Sequence, residues 1–365
     1  MEERNYGIDA LRMFSMFLVV ILHVLGCGGV LAALEPQSTA YFFAWSLEYT
    51  AFCAVNCYAL ITGFVMYGRR TGLGKFCSLW LSVLFWSVLM SVVVWCYLPE
   101  TLDFASVARA IFPITNHQYW YISAYALLYL LMPVLQIAIE HLSDVAYTTI
   151  VFGSFLLVCG GTFLSGIDAF QMVGGYSPIW LILCFLWGGW LRKYRIPEKV
   201  RGIWGVLLFI GSVCITIFFR YLMEAKLDVL EHSGSFTSYT SPFMVLAAVG
   251  LLLAFYRLPT TVFAKRAIAY LSPAALGVYL IHTHSLVFAH IVADFAISFA
   301  TYSVPTMLLA VLGAALGIYA ACTVLELLRI QLFRLLRVSR FCKWLDVIAG
   351  KCVARFVKEE TESER

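Results

Sequence analysis

Residues 7–34 read GIDALRMFSMFLVVILHVLGCGGVLAAL. From Met13 onward the run is almost wholly apolar, and it exceeds the ~20 residues an α-helix needs to cross a bilayer. It predicts a membrane span over residues 10–31. Val24-Leu25-Gly26-Cys27 resembles a lipoprotein cleavage box, but a signal peptide has a shorter apolar core and this one continues to Leu34. Asp9 and Arg12 stand at the start of the span and His23 lies two-thirds of the way along it. A titratable side chain in lipid is costly and points to function. Arg12 and His23 are eleven residues apart, close to three helical turns, so they share a face at a separation of roughly 16 Å. They can line one path without touching.

The rest of the chain agrees with that reading. Of its 365 residues 62% are hydrophobic and 13% charged, against about 25% charged in a soluble domain, and the mean hydropathy is +0.87. A water-soluble two-domain protein is excluded. Further apolar runs over 40–67, 76–98, 119–139, 145–165, 176–191, 202–222, 240–256, 268–290 and 303–328 bring the expectation to about ten transmembrane helices in an all-α, polytopic membrane helical bundle. The sixth and eighth runs are short.

If the N-terminus is cytoplasmic, 22 of the 25 Lys and Arg residues fall on the inner side, leaving only Arg109, Arg220 and Lys226 outside. By the positive-inside rule both termini are then cytoplasmic. The net charge of +4 reflects topology and calls for no nucleic-acid partner. Residues 1–330 form the expected membrane domain. Residues 331–365 follow as a basic amphipathic helix on the membrane surface, ending in a charged tail from Lys358. The loop over 223–239 is expected on the outer side. The 11 cysteines sit mostly in apolar runs, as small hydrophobes do, and show neither a disulfide framework nor zinc-ligand spacing. No metal is expected.

Several intramembrane polar groups have two readings each. Asp9 and Arg12 are either an i,i+3 anchor or the mouth of a site. His23 is either a satisfied core imidazole or a general base, since its reference pKa near 6.5 suits proton transfer. Asn56 could join helices, and Thr62-Gly63 could be a small-residue packing face. Arg69, Arg70 and Lys75 serve as topology determinants or as a phosphate site. Trp120 and Tyr121 belong to an interfacial aromatic belt or stack on a sugar. Tyr279 and His282, at i,i+3, share a helix face, and no carboxylate stands nearby in sequence to make a metal site of His282 and His284.

In this order the pieces resemble one family, the acyltransferase-3 membrane proteins, bacterial O-acyltransferases of cell-surface glycans. The matching residues are Gly7-Ile8-Asp9 with Arg12 and His23; Asn56 with Ile61-Thr62-Gly63-Phe64; the basic residues that follow; Tyr119-Trp120-Tyr121 with Tyr125, Tyr129 and Pro133; and Leu276 to His282. The family commonly has serine at the position of Thr62, which keeps the hydroxyl. The likeness covers about residues 5–330.

The resemblance implies a multi-pass protein of the bacterial plasma or inner membrane. It implies transfer of an acyl group, usually acetyl from cytoplasmic acetyl-CoA, to a hydroxyl of a cell-surface or lipid-linked glycan on the outer side, with membrane lipids as the other partner. It gives the catalytic role to His23, with Arg12 and Asp9 beside it, and donor binding to Arg69, Arg70 and Lys75. Asn56, Trp120, Tyr121, Tyr279 and His282 are the candidates for substrate binding. His23 would either deprotonate the acceptor for direct attack or carry the acyl group itself. Two other classes compete: a flippase or transporter of a lipid-linked sugar, which would be favoured by inverted repeats, and a non-catalytic sensor, which would be favoured by loss of His23 or Arg12. The sequence shows no inverted repeat and keeps both residues.

Overall fold

The structure, a computed structural model, describes residues 4–225 and 238–363, with side chains through residue 351. Residues 226–237 of the expected outer loop and the side chains of the charged tail lie outside the described residues. The main helices are α1 (Tyr6–Leu25), α2 (Thr39–Phe52), α3 (Ala54–Met66), α4 (Leu73–Tyr97), α5 (Phe104–Ile111), α6 (Trp120–His141) and α7 (Asp144–Ser154). They continue with α8 (Pro178–Lys193), α9 (Gly202–Ala225), α10 (Pro242–Tyr256), α11 (Val262–Leu271), α12 (Ala275–His282), α13 (Val304–Leu335) and α14 (Val338–Ser363). No β-strand occurs among the described residues, and the protein is an all-α, polytopic helical bundle.

Helical segments occupy all the expected intervals. Among the described residues seven helices are long and apolar enough to cross a membrane, and an eighth is added if the bent pair Val262–His282 and Ser285–Thr301, at 61°, forms one span. The two runs marked short become α8, with 16 residues, and α10, with 15. Both are largely buried in protein: Trp180, Leu181, Cys184 and Phe185 of α8 and Met244, Ala247, Ala248 and Leu252 of α10 are all sealed from the surface. Hydropathy cannot separate a short core helix from a short span, because protein interior and lipid are both apolar.

Burial separates the centre from the rim. The most apolar windows of Tyr6–Ala33 and Thr39–Met66 are 61% and 67% buried, against 17–33% for the other five spans. α1, α2 and α3 therefore form the middle of the bundle. The outer helices turn an apolar face outward, as Leu127, Leu130, Val134 and Ile137 of α6 do along one face. Such a stripe suits lipid contact and would be a liability in water.

Small residues let the central helices close up. At the α3–α8 crossing a Cβ on Gly63 would come within 2.0 Å of the Phe185 carbonyl oxygen, and one on Gly188 within 2.1 Å of the Leu60 carbonyl oxygen. Thr62-Gly63 thus lies at a close helix crossing. Replacing Gly188 by valine must push backbones apart. A loss of about 1–3 kcal/mol, the usual range for overpacking, is expected, read as a shorter half-life of the detergent-solubilised protein at fixed temperature. An unchanged half-life would mean that the crossing relaxes freely.

The bend after α12 is held from the side. His284 Nε2 lies 3.1 Å from the Ser87 carbonyl oxygen and 3.1 Å from Ser91 Oγ, both on α4. This anchor fixes the end of α12 against the bundle and turns His282 toward α1. At the other end of the chain α13 continues through Arg329 to Leu335, and the break before α14 falls at Leu336-Arg337. α14 returns to the start of α4, where the Gly74 amide donates to the Asp346 carboxylate at 2.6 Å.

Candidate active site

α1 opens at Asn5, whose side-chain oxygen accepts from the Ile8 amide at 3.1 Å and caps the helix. Asp9, in the first turn, is favoured by the helix dipole. Its carboxylate accepts from Arg4 Nε at 2.5 Å and from Arg12 at 3.0 Å. Around this end of α1 lies a cavity of about 580 Å³, lined by Arg4, Asp9, Arg12, Phe64, Arg69, Arg192, Glu198 and Tyr256 among others. Four guanidinium groups face two carboxylates there. Arg192 also lies over the Phe64 ring, 5.1 Å from its centroid. Such a group of arginines suits a polyanion, because each offers a planar fork of donors to phosphate oxygens.

The loop that carries Arg69 is fastened to α6. Gln136 Nε2 donates to the carbonyls of Met66 at 2.8 Å and Arg69 at 2.6 Å, and the Tyr129 hydroxyl donates to the Gly72 carbonyl at 2.9 Å. Of the three basic residues singled out in this loop, Arg69 lines the cavity. Arg70 and Lys75 are not among its lining residues, and Lys75 Nζ donates instead to the Arg70 carbonyl at 3.2 Å.

The other end of α1 borders a second cavity of about 400 Å³, with His23, Glu48, Gln118, Trp120, Tyr121, Tyr176, Tyr239, Tyr279 and Thr283 in its lining. Tyr58 joins the two. Its ring lines the second cavity, and its hydroxyl donates at 2.6 Å to the carbonyl of Arg12, whose side chain lines the first.

Within the second cavity His23 is held by another histidine. His282 Nδ1 lies 2.5 Å from the Val278 carbonyl oxygen, and His282 Nε2 lies 2.9 Å from His23 Nδ1. A carbonyl can only accept, so His282 carries its proton on Nδ1. With one proton on each ring, His282 Nε2 accepts, His23 Nδ1 donates, and the lone pair of His23 rests on Nε2. This is the protonation a general base requires. The order is that of a catalytic dyad in which a second side chain fixes the tautomer and the ring plane, with a buried imidazole as the orienting group.

The remaining candidates divide by role. Trp120, Tyr121 and Tyr279 line the cavity with His23. Asn56 is fully buried and uses both ends of its amide on protein: Nδ2 donates to the Tyr239 carbonyl at 2.8 Å, and Oδ1 accepts from Trp180 Nε1 at 3.0 Å. Its connection to the cavity runs through Tyr239. Sequence reasoning passed over Arg4 and Arg192, which resembled ordinary inner-side charge. It also passed over Glu48, although an acid inside the 40–67 apolar run was a visible signal. Tyr176 and Tyr239 gave no signal, since each comes to the cavity from a distant segment. Among the described residues no group of three or more His, Cys, Asp or Glu side chains gathers to hold a metal ion.

A family model described as an acyltransferase domain matches residues 5–326. No curated protein and no solved structure matches the chain.

Proposed function

The chain belongs to the acyltransferase-3 family, and we propose that it carries an acyl group, most simply acetyl from acetyl-CoA, through the bilayer to a hydroxyl of a cell-surface or lipid-linked glycan. The observation that carries this reading is the division of α1 between two unlike cavities: Arg12 in an arginine-rich one and His23 in an aromatic one. The first suits the phosphates of CoA. The second suits an uncharged acceptor beside a base. The pantetheine arm of CoA is long and thin enough to bridge three helical turns, with the thioester nearest His23.

In the direct route the acceptor O–H gives its proton to His23 Nε2 as its oxygen attacks the thioester carbonyl. The C–S bond then breaks, and the departing thiolate recovers the proton from His23. In the stepwise route His23 Nε2 itself attacks the thioester, the C–S bond breaks and CoA leaves as the thiolate; the acceptor oxygen then attacks the acyl-imidazole, the C–N bond breaks to return His23, and the acceptor proton passes to the thiolate. Tyr121 and Tyr279, in the same lining, are candidates to donate hydrogen bonds to the developing oxyanion. The charge distribution along the chain supports a cytoplasmic arginine cavity and an outward aromatic one in a bacterial cell membrane. α14 would then form a cytoplasmic surface helix joined to the catalytic domain at the break at Leu336-Arg337, six residues beyond the boundary expected from sequence.

The test is transfer of label from acetyl-CoA to glycan in membranes that contain the protein. Wild type is expected to transfer label. Arg69→Ala is expected to raise KM for acetyl-CoA by about five- to tenfold, the loss of one charge-assisted contact, with kcat largely kept. Arg70→Ala, outside the cavity lining, is expected to change neither. If wild type labels no glycan from any acyl-CoA, the reading fails. Equal effects of the two substitutions would remove the donor role from Arg69.

A further inference from the structure

Glu48 is the acidic residue in the lining of the His23 cavity, and it has no role in the steps above. It lies within the apolar span Thr39–Met66. Glu48 is 7% exposed, and its Oε2 is buried without a hydrogen-bond partner. A buried carboxyl group left unpaired is costly and rare, and it persists most readily where a ligand supplies what the protein does not. No Lys or Arg is among the described lining residues. Next to Glu48 the walls form a nearly continuous aromatic surface. Phe52 stacks on Tyr239 at 4.7 Å, Tyr239 lies 5.1 Å from Tyr176, and Tyr176 lies 4.5 Å from Trp120.

We propose that Glu48 and the aromatic wall make this cavity a subsite for an uncharged sugar ring, and that a lining without cations keeps acidic sugars out. The inference rests on the acyl-transfer reading and names the acceptor class within it. The aromatic face takes the flat C–H side of a pyranose ring. The carboxyl group takes neighbouring hydroxyls, which holds the ring against the wall and presents a further hydroxyl to His23. The carboxylate of a uronic or sialic acid would leave water for a cavity with no Lys or Arg in its described lining to pair with it. An ion taken out of water without a partner is strongly penalised where the dielectric is low. A volume of about 400 Å³ admits one or two sugar units, so a longer glycan would enter by an end or a branch.

The experiment is saturation-transfer NMR on the full-length protein in lipid nanodiscs, without acyl-CoA. The probes are the methyl glycosides of glucose, galactose, mannose and N-acetylglucosamine, and methyl glucuronide and galacturonide. Wild type is expected to bind at least one neutral glycoside and neither uronide. Glu48→Gln is expected to weaken the neutral ligand about tenfold, the loss of hydrogen bonds to a carboxyl group, and to leave the uronides unbound. Glu48→Asp, which keeps the acid on a shorter arm, should weaken binding yet keep the preference for neutral rings.

The proposal is overturned if wild type binds no neutral glycoside, or binds neutral and acidic rings alike. It is overturned equally if Glu48→Gln leaves the affinity for the neutral ring unchanged. Should Glu48→Gln fail to fold, the wild-type selectivity and Glu48→Asp still decide. Wild-type label transfer with unchanged acceptor KM in Glu48→Gln sinks this proposal alone, whereas absence of transfer by wild type sinks the acyltransferase reading beneath it.

Discussion

His23→Ala is expected to reduce acyl transfer by about 10²–10⁴-fold, the usual contribution of a positioned general base, while donor binding stays near wild type. The reason is geometric. The imidazole keeps its lone pair on Nε2 because its Nδ1–H donates to His282 Nε2, and His282 can accept only because its own Nδ1 donates to the Val278 carbonyl. Arg12 and the arginine cavity lie about three turns away along α1, so acyl-CoA should still bind. The measurement is single-turnover transfer from labelled acetyl-CoA, with donor affinity determined in parallel.

His282→Ala provides the sharper comparison. It leaves the base in place and removes its orientation, so it should lose rate at constant donor affinity, and by less than His23→Ala. Trapping separates the two routes: an acid-quenched sample that carries label on His23 before acceptor is added would favour the acyl-imidazole. If His23→Ala transfers label as fast as wild type, His23 is not the base.

The second large effect concerns stability. Glu326→Ala is expected to cost about 3–5 kcal/mol, because it leaves a buried charge without its partner. In α13 the Glu326 carboxylate accepts from both Arg329 Nε at 2.8 Å and an Arg329 terminal nitrogen at 2.7 Å, and it also accepts from Trp86 Nε1 of α4 at 2.6 Å. Glu326 is 3% exposed and Arg329 9%. One carboxylate therefore ties α4 to α13. It also packs against α12, where a Cβ on Gly277 would come within 2.3 Å of the Glu326 side chain.

Alanine at 326 would strand the guanidinium and the indole N–H together. Unfolding of such a protein is rarely reversible, so the readout is the inactivation half-life at fixed temperature. The double variant Glu326→Ala/Arg329→Leu should recover much of the loss, since removing both charges of a buried pair is far milder than removing one. A double variant no better than the single one would show that the pair's charge is not the source of the effect.

These two cases differ in how far the sequence announces them. His23 and Arg12 are conspicuous because each is a polar group in an apolar run, and their separation on one helix follows from the helical repeat alone. Arg329 reads from sequence as an inner-side charge at the very end of the membrane domain, just before the basic surface segment. In the fold it is buried, and α13 extends past it, because Glu326 one turn earlier supplies the opposite charge. Asn56 reads from sequence as helix glue or as a substrate ligand, and in the fold its amide bonds to Tyr239 and Trp180. Arg192 reads as one positive-inside charge among many and comes to rest in the arginine cavity.

Local chemistry along the chain determined the class of fold, the positions of the helices, the family, and the two ends of α1 where polar groups interrupt lipid-compatible sequence. The family rests on the resemblance of its motifs, and the others depend on composition, on hydrophobic run length and on the repeat of one helix. Only the tertiary structure decided which side chains meet. It set His282 against His23 across 259 residues, turned Glu48 toward the same cavity, and separated Arg69 from Arg70. The physical reason is that an apolar run specifies burial but not its neighbour: lipid and protein satisfy it equally. Partners are chosen where helices close on small residues such as Gly63 and Gly188, and where a buried polar group must find its complement or wait for a ligand.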